Sequence, residues 1–351
     1  MEHRETMKAL VLHGIGDLRY EDVQRLNPGD GEVLLKIKAC GICSSDIPRI
    51  YTTGTYHFPT IPGHEFSGQI IELGKNVDSD LLGKRAAVFP LLPCRHCAPC
   101  EQEAYAQCKN YNYFGSRCDG AYAEYLVVPV WNLILFDDSL DYKIAALCEP
   151  SAVSLHAINI SQLRAGQTVV VVGAGTIAFL IASFAKNKGA KKVILCGRSR
   201  EKLAFAESLG FGTINTQEDN VEEATKALLD GEGADIVFEC VGKASTAENA
   251  IQASGAFGTV VLVGNPEGDM TFEKNVYWKI LRQQITVKGT WNSSYNSKVN
   301  DWQEALLQMS YVPELFAQLV TQTYSLADFK TAMDTVRDRE KFSLKVMFTM
   351  D

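Results

Sequence analysis

A doubly wound parallel α/β sheet joined to a second, β-rich domain is the fold class this sequence predicts, on three observations. From about residue 151 to 288, strand-like and helix-like segments alternate at short intervals, the pattern of a parallel sheet covered on both faces. One of those strands, Thr168–Val172, runs straight into a glycine-rich turn and a helical pattern. The 150 residues before them instead carry short period-2 runs cut by Gly and Pro, which suit an irregular β domain.

The elements follow in chain order. In the first domain the strand-like runs are 8–12, 32–39, 68–73, 85–89 and 124–128. The character changes near Pro150, after which 154–161 reads as helix. Thr168–Val172 reads as a buried strand, 176–188 as helix, 192–195 as strand and 201–209 as helix, with later strands at 235–239 and 259–263. Beyond about Gly289 helix, strand and loop return, ending in a strand over 343–348. The expected division is therefore 1–150 with 289–351 as one domain and 151–288 as the other. The 351-residue length suits two domains.

Composition narrows the function. Hydrophobic residues make up 46% and charged residues 22%, an ordinary globular balance, and the net charge is -8. No basic tract of the kind that neutralises nucleic-acid phosphates is present, so no nucleic-acid partner is expected. No apolar stretch approaches the roughly 20 residues of a membrane span. The polar start Met1-Glu-His-Arg-Glu-Thr6 lacks a signal-peptide core, and a cytoplasmic protein is expected. In a reducing compartment the ten cysteines are thiols or metal ligands; Cys196 and Cys240, at the ends of apolar runs, read as small buried hydrophobes.

Two groups of residues suggest metal. Cys94, Cys97, Cys100 and Cys108 lie within fifteen residues, and four thiolates on one loop wrap a single Zn²⁺. Four protein ligands leave no place for substrate, so this ion is structural. A second site can draw on Gly41-Ile-Cys43-Ser-Ser45-Asp46, on Gly63-His64-Glu65 and on Cys148-Glu149-Pro150. A thiolate, an imidazole and a carboxylate make an open tetrahedral site suited to catalysis.

The turn Gly173-Ala-Gly175-Thr176-Ile177-Ala178 fits the dinucleotide-binding fingerprint: a tight turn, close backbone approach to a pyrophosphate, then close helix–strand packing. At the end of the next strand stand Cys196-Gly197-Arg198-Ser199-Arg200. The carboxylate that would bind a free ribose is missing, Gly197 opens space, and two arginines suit a 2′-phosphate. NADP(H) is therefore expected ahead of NAD(H), with NAD still possible. Val241 and Val263, at later strand ends, complete the expected cofactor-binding set.

With these motifs in place the chain resembles the zinc-dependent medium-chain alcohol and polyol dehydrogenases. The signature from Gly63-His64-Glu65 through Gly68 and Gly74 to Val77, the cysteine lobe and the Gly173–Ala178 turn agree with that family in order and spacing across essentially the whole chain. The polyol branch is matched further by Ser45-Asp-Ile-Pro-Arg-Ile50, Pro90-Leu-Leu-Pro-Cys94, Tyr113-Phe-Gly-Ser-Arg-Cys-Asp-Gly120 and Gly289-Thr-Trp291. The resemblance implies a GroES-like catalytic domain, a Rossmann coenzyme domain and two zinc ions per chain. It implies Cys43, His64 and either Glu65 or Glu149 at the catalytic zinc, with Ser45 relaying the substrate proton. Pro48 stands where some relatives carry a relay histidine, which leaves His57 or water for the onward route.

The reaction so implied is hydride transfer between NAD(P) and a secondary hydroxyl of a polyol or polyol phosphate. Galactitol 1-phosphate to tagatose 6-phosphate leads; sorbitol, threonine and 2,3-butanediol follow. Arg49, Arg117 and Lys298 are the candidate phosphate anchors, and Trp291 and Asn292 are placed near the nicotinamide. The family's usual homodimer or homotetramer is expected. A zinc-stabilised nucleotide-binding redox sensor is the alternative of a different class.

Overall fold

A computed structural model describes residues 5–338 and 340–350; residues 1–4, most of the polar start noted above, lie outside these. The chain divides into two compact units, Met1–Glu149 with Ser294–Asp351, and Pro150–Ser293.

Among its described residues, the Pro150–Ser293 unit is built on a six-stranded, all-parallel sheet. Its spatial order is Gly212–Asn215, Lys192–Gly197, Thr168–Val172, Ala234–Glu239, Ser254–Leu262, Thr286–Gly289. Counted along the chain this is 3-2-1-4-5-6, so the winding reverses between Thr168–Val172 and Ala234–Glu239. Val169 to Val172 are all buried, as a parallel strand covered on both faces requires. The expected nucleotide residues all follow strand C-termini: Gly173–Ala178 the first, Arg198–Arg200 the second, Val241 the fourth and Val263 the fifth. Open parallel sheets bind ligands at that edge, beside the reversal.

In the other unit one strand is the hub. Glu32–Gly41 pairs with Glu65–Leu73, with Lys345–Thr349 and with Tyr125–Pro129, all antiparallel. Val320–Tyr324, Arg85–Val88 and Leu133–Phe136 extend the sheet, and Thr6–Gly14 with Asp17–Gln24 forms a separate hairpin. Val33, Leu35, Ile37, Phe66, Ile70, Val346 and Phe348 send the apolar side of the sheet into one core. The register has a chemical consequence, because Gly41 lies opposite both Glu65 and Met347. The loop carrying Cys43, the His64-Glu65 pair and Lys345 are thereby delivered to one end of the sheet. Gly41 has to be glycine: a Cβ there would sit 2.2 Å from Glu65 Oε2.

One element begins earlier than the sequence suggests. The helix expected over 154–161 spans Cys148–Ser161. Pro150 looked like a boundary but sits in the first turn, where its missing N–H removes no intrahelical bond. That earlier start puts Glu149 on a rigid helix terminus.

Candidate functional site

Cys43 leaves the hub strand on a short loop. Its Sγ, a ring nitrogen of His64 and a carboxylate oxygen of Glu65 all lie within 4.8 Å of one another. His64 and Glu65 are buried and Cys43 half-buried. Behind them Asp46 is fully buried. It accepts the Cys43 amide at 3.2 Å and the Tyr122 hydroxyl at 2.8 Å, and lies 3.4 Å from His64 Nδ1. Nδ1 forms no proper hydrogen bond. An imidazole whose Nδ1 faces a carboxylate offers Nε2 as a ligand. Burial alone would raise Asp46, but the facing His64 and Arg49 hold its carboxyl down at about 2. Burial likewise opposes charge on His64, and Asp46 outweighs it, raising the imidazole well above its ordinary range. Asp46 therefore faces the histidine from behind.

The two glutamates differ in their partners. Glu65 forms a buried ion pair with Lys345, whose Nζ also donates to the Ile42 carbonyl at 3.3 Å. Burial works against the Lys345 charge, but Glu65 and Cys43 raise its pKa. Glu149 stands outside the 4.8 Å group and accepts the Tyr113 hydroxyl at 3.0 Å. Burial pushes its carboxyl up; His64 opposes this and Glu65 reinforces it. Glu149 is thus a buried carboxylate held by a neutral phenol, the more in need of a cation.

Ser45 was expected to relay the substrate proton. It occupies the cap position of Asp46–Pro48 but makes no capping bond. Its hydroxyl instead donates to Cys43 Sγ at 3.1 Å and accepts from Arg49 Nη1 at 3.0 Å. Arg49 also pairs with Asp46 at 3.3 Å. Both ring nitrogens of His57 face backbone carbonyls, Nδ1 that of Pro59 at 3.0 Å and Nε2 that of Arg117 at 3.2 Å, so this ring braces a loop.

The four lobe cysteines converge as well. Their recorded Sγ separations are 3.5 Å for Cys97–Cys100, 3.8 Å for Cys97–Cys108 and 4.0 Å for Cys94–Cys100. A tetrahedron with arms of about 2.3 Å has edges of about 3.8 Å, so the set fits a zinc ion with little movement. Backbone N–H groups of Lys109 and Cys100 draw Cys97 down to about 6, while burial and the neighbouring thiols push Cys100 up to about 12. His96 Nδ1 faces the Cys94 carbonyl at 2.7 Å, and the ring stands outside the ligand group.

In the nucleotide unit, Gly173 has φ +134°, and a Cβ there would crowd Cys240 and Val241. At Gly175 a Cβ would meet no atom within 4 Å, which leaves the helix N-terminus open to a pyrophosphate. Ala178 is buried, as close helix–strand packing needs. Gly197 has a different reason from the one expected. It does not open space; a Cβ there would lie 2.8 Å from that of Ala174 in the facing turn. Ser199 caps the helix Arg200–Ser208. Arg200 pairs with Glu218, while Arg198 is exposed with no carboxylate partner among the described residues. Val241 donates its amide to the buried Glu239 side chain at 2.8 Å, and Val263 donates to the Glu239 carbonyl at 2.8 Å.

Sequence reasoning missed Tyr113, Tyr122 and Lys345. Lys345 left a signal, a lone charge beside the apolar run Val346-Met347-Phe348. Tyr122 left none, and Tyr113 stood only as the first residue of a segment matched to the polyol branch, with no role attached.

Comparison with known proteins places this geometry in a family. The alcohol dehydrogenase GroES-like domain family matches residues 29–138, and the zinc-binding dehydrogenase family matches residues 176–310. Galactitol 1-phosphate 5-dehydrogenase of Escherichia coli (strain K12) is 37% identical over 276 residues, covering 78% of this chain and 80% of its own. Sorbitol dehydrogenase of Halalkalibacterium halodurans is 32% identical over 352 residues, covering 98% and 99%. A Sinorhizobium meliloti 1021 protein described as a zinc-binding dehydrogenase, solved bound to NADP, is 29% identical with a TM-score of 0.90, over 99% of this chain and 100% of its own.

Proposed function

Because the chain belongs to the zinc-binding medium-chain alcohol dehydrogenase family, we propose that it oxidises a secondary hydroxyl of a polyol phosphate. The leading substrate is galactitol 1-phosphate, giving tagatose 6-phosphate, with NADP the preferred acceptor and NAD possible. The observation that carries the reading is the convergence of Cys43, His64 and Glu65 at one end of the hub sheet, with Glu149 linked to His64 through Tyr113. The convergent donors suit zinc: one thiolate, one imidazole and a carboxylate, buried and oriented from behind by Asp46. No helix among the described residues is long and apolar enough to cross a membrane.

We assign the unit containing Cys43 to catalysis and Pro150–Ser293 to the coenzyme. Cys43, His64 and Glu149 hold the catalytic ion; Glu65, neutralised by Lys345, stays in reserve as an exchanging ligand. When bound, zinc polarises the substrate oxygen and stabilises the alkoxide. Ser45 Oγ takes the hydroxyl proton while releasing its own, which now points at Cys43 Sγ, to water. The Ser45 oxygen has two lone pairs, and Arg49 occupies one, leaving the other for the substrate. A nicotinamide held by this chain would supply the acceptor for the hydride from the carbinol carbon. Arg198, which follows the strand end and has no carboxylate partner among the described residues, would meet the 2′-phosphate. Cys94, Cys97, Cys100 and Cys108 hold a second, structural zinc. The assembly is a dimer or tetramer, to be read by light scattering.

Assay of polyols and their phosphates against both cofactors, with zinc measured per chain, tests the proposal. Two zinc ions per chain and the highest kcat/KM for galactitol 1-phosphate with NADP are expected. Preference for sorbitol would move the substrate to the unphosphorylated polyols, which the sorbitol dehydrogenase relative supports. Absence of turnover with every polyol would overturn the activity.

A further inference from the structure

We propose that Arg117 is the anion anchor by which this site selects a phosphorylated polyol over a neutral one; the inference rests on the polyol dehydrogenase reading of the same site. Arg117 is half-buried and held from several sides. Its guanidinium lies 4.0 Å from the ring centroid of Tyr56 and 4.3 Å from that of Tyr111. Nη2 donates to the Tyr56 hydroxyl at 3.0 Å and Nη1 to the Tyr111 carbonyl at 3.4 Å. Two of its five N–H donors are thereby used, and the other three meet no acceptor among the described residues. No carboxylate among the described residues lies within 4.0 Å of it. A rigid guanidinium with an uncompensated charge and open donors is a ready receptor for phosphate.

Its place is set by one residue, Tyr113. The Arg117 amide donates to the Tyr113 carbonyl at 2.9 Å, so the chain folds Arg117 back over that tyrosine. The other end of Tyr113 touches the metal cluster: its hydroxyl donates to Glu149 and its ring meets His64 edge-on at 5.7 Å. The backbone of Arg117 is therefore fixed to the tyrosine that contacts the proposed ligands, and its guanidinium stacks on Tyr111, whose ring lies 6.3 Å from that of Tyr113. His57 braces the turn from outside through the Arg117 carbonyl. The two other cations considered fit less well. Arg49 is committed to Asp46 and Ser45, and Lys298 lies on an exposed loop where its charge acts on Glu103.

The test compares wild type with Arg117→Met, Arg117→Lys and Tyr56→Phe. Steady-state kinetics use galactitol 1-phosphate and galactitol, and calorimetry follows galactitol 1-phosphate binding to the zinc-loaded protein without coenzyme. Loss of a charged hydrogen-bonding partner predicts a KM for the phosphorylated substrate about 10- to 100-fold higher in Arg117→Met. The preference for phosphorylated over neutral polyol should shrink by the same factor. Arg117→Lys should recover part of it, and Tyr56→Phe should show a smaller loss in the same direction. Equal use of galactitol and galactitol 1-phosphate by wild type overturns the anchor while leaving the dehydrogenase reading intact, as does an equal loss for both substrates in Arg117→Met. If no polyol is oxidised at all, the dehydrogenase reading fails; calorimetry then still decides the anchor, which is overturned if Arg117→Met binds the phosphate as tightly as wild type.

Discussion

Glu65 and Glu149 are both buried beside His64, but only Glu65 has a cation of its own among the described residues. Glu149→Gln is therefore expected to lower zinc content from two ions per chain toward one and to cut kcat about 100-fold or more, beyond the roughly 10- to 100-fold lost when only a metal site's supporting groups are removed. Glu65→Gln should keep its zinc but leave Lys345 charged and unpaired in the interior, a change that costs about 3–5 kcal/mol. Elemental analysis alongside denaturant unfolding separates the two; zinc lost from Glu65→Gln instead would reverse the assignment. At the coenzyme end, Arg198→Ala should lower kcat/KM with NADP about tenfold or more and leave NAD largely unaffected. Arg200→Ala should do less, since Arg200 is already paired with Glu218. Cofactor kinetics on both variants check this. Neither partner was visible in the sequence, because Lys345 lies 280 residues from Glu65 and Glu218 lies 18 from Arg200.

The glycine-rich turn was legible because its chemistry is local: strand, turn and helix N-terminus are consecutive. The structure adds which glycine serves which purpose. Gly173 has a positive φ and close neighbours, so it serves the fold, whereas Gly175 faces open space and has an ordinary backbone conformation. Gly175→Ala is accordingly expected to leave Tm within a degree or two and to weaken coenzyme binding about tenfold by placing a methyl where the pyrophosphate approaches. Nucleotide titration and a thermal scan of one preparation test it, and a large fall in Tm with intact binding would contradict it. The cysteine lobe was legible for the same reason of proximity. The start of Cys148–Ser161 was not, because Pro150 is a breaker inside a helix but tolerated in its first turn. Gly197 was misread because only the folded chain brings Ala174 against it.

Across the molecule, the expected nucleotide-binding residues all belong to Pro150–Ser293, and the expected metal ligands all belong to the other unit. Cys43→Ser should therefore abolish turnover while coenzyme Kd stays within about threefold of wild type. Wild-type activity in a metal-analysed variant would end the catalytic-zinc assignment. The sequence by itself determined the two-part fold, the cysteine set, the histidine–glutamate signature and the nucleotide turn, since each is written in residues near one another or in the periodicity of single elements. The tertiary structure alone decided the partners: Asp46 against His64, Tyr113 on Glu149, Lys345 on Glu65, and Arg117 between two tyrosines. The physical reason is sheet register. Pairing Gly41 opposite both Glu65 and Met347 brings distant parts of the chain to one end of a sheet, and the neighbours of a buried charge determine whether it binds a metal, pairs with a lysine or titrates.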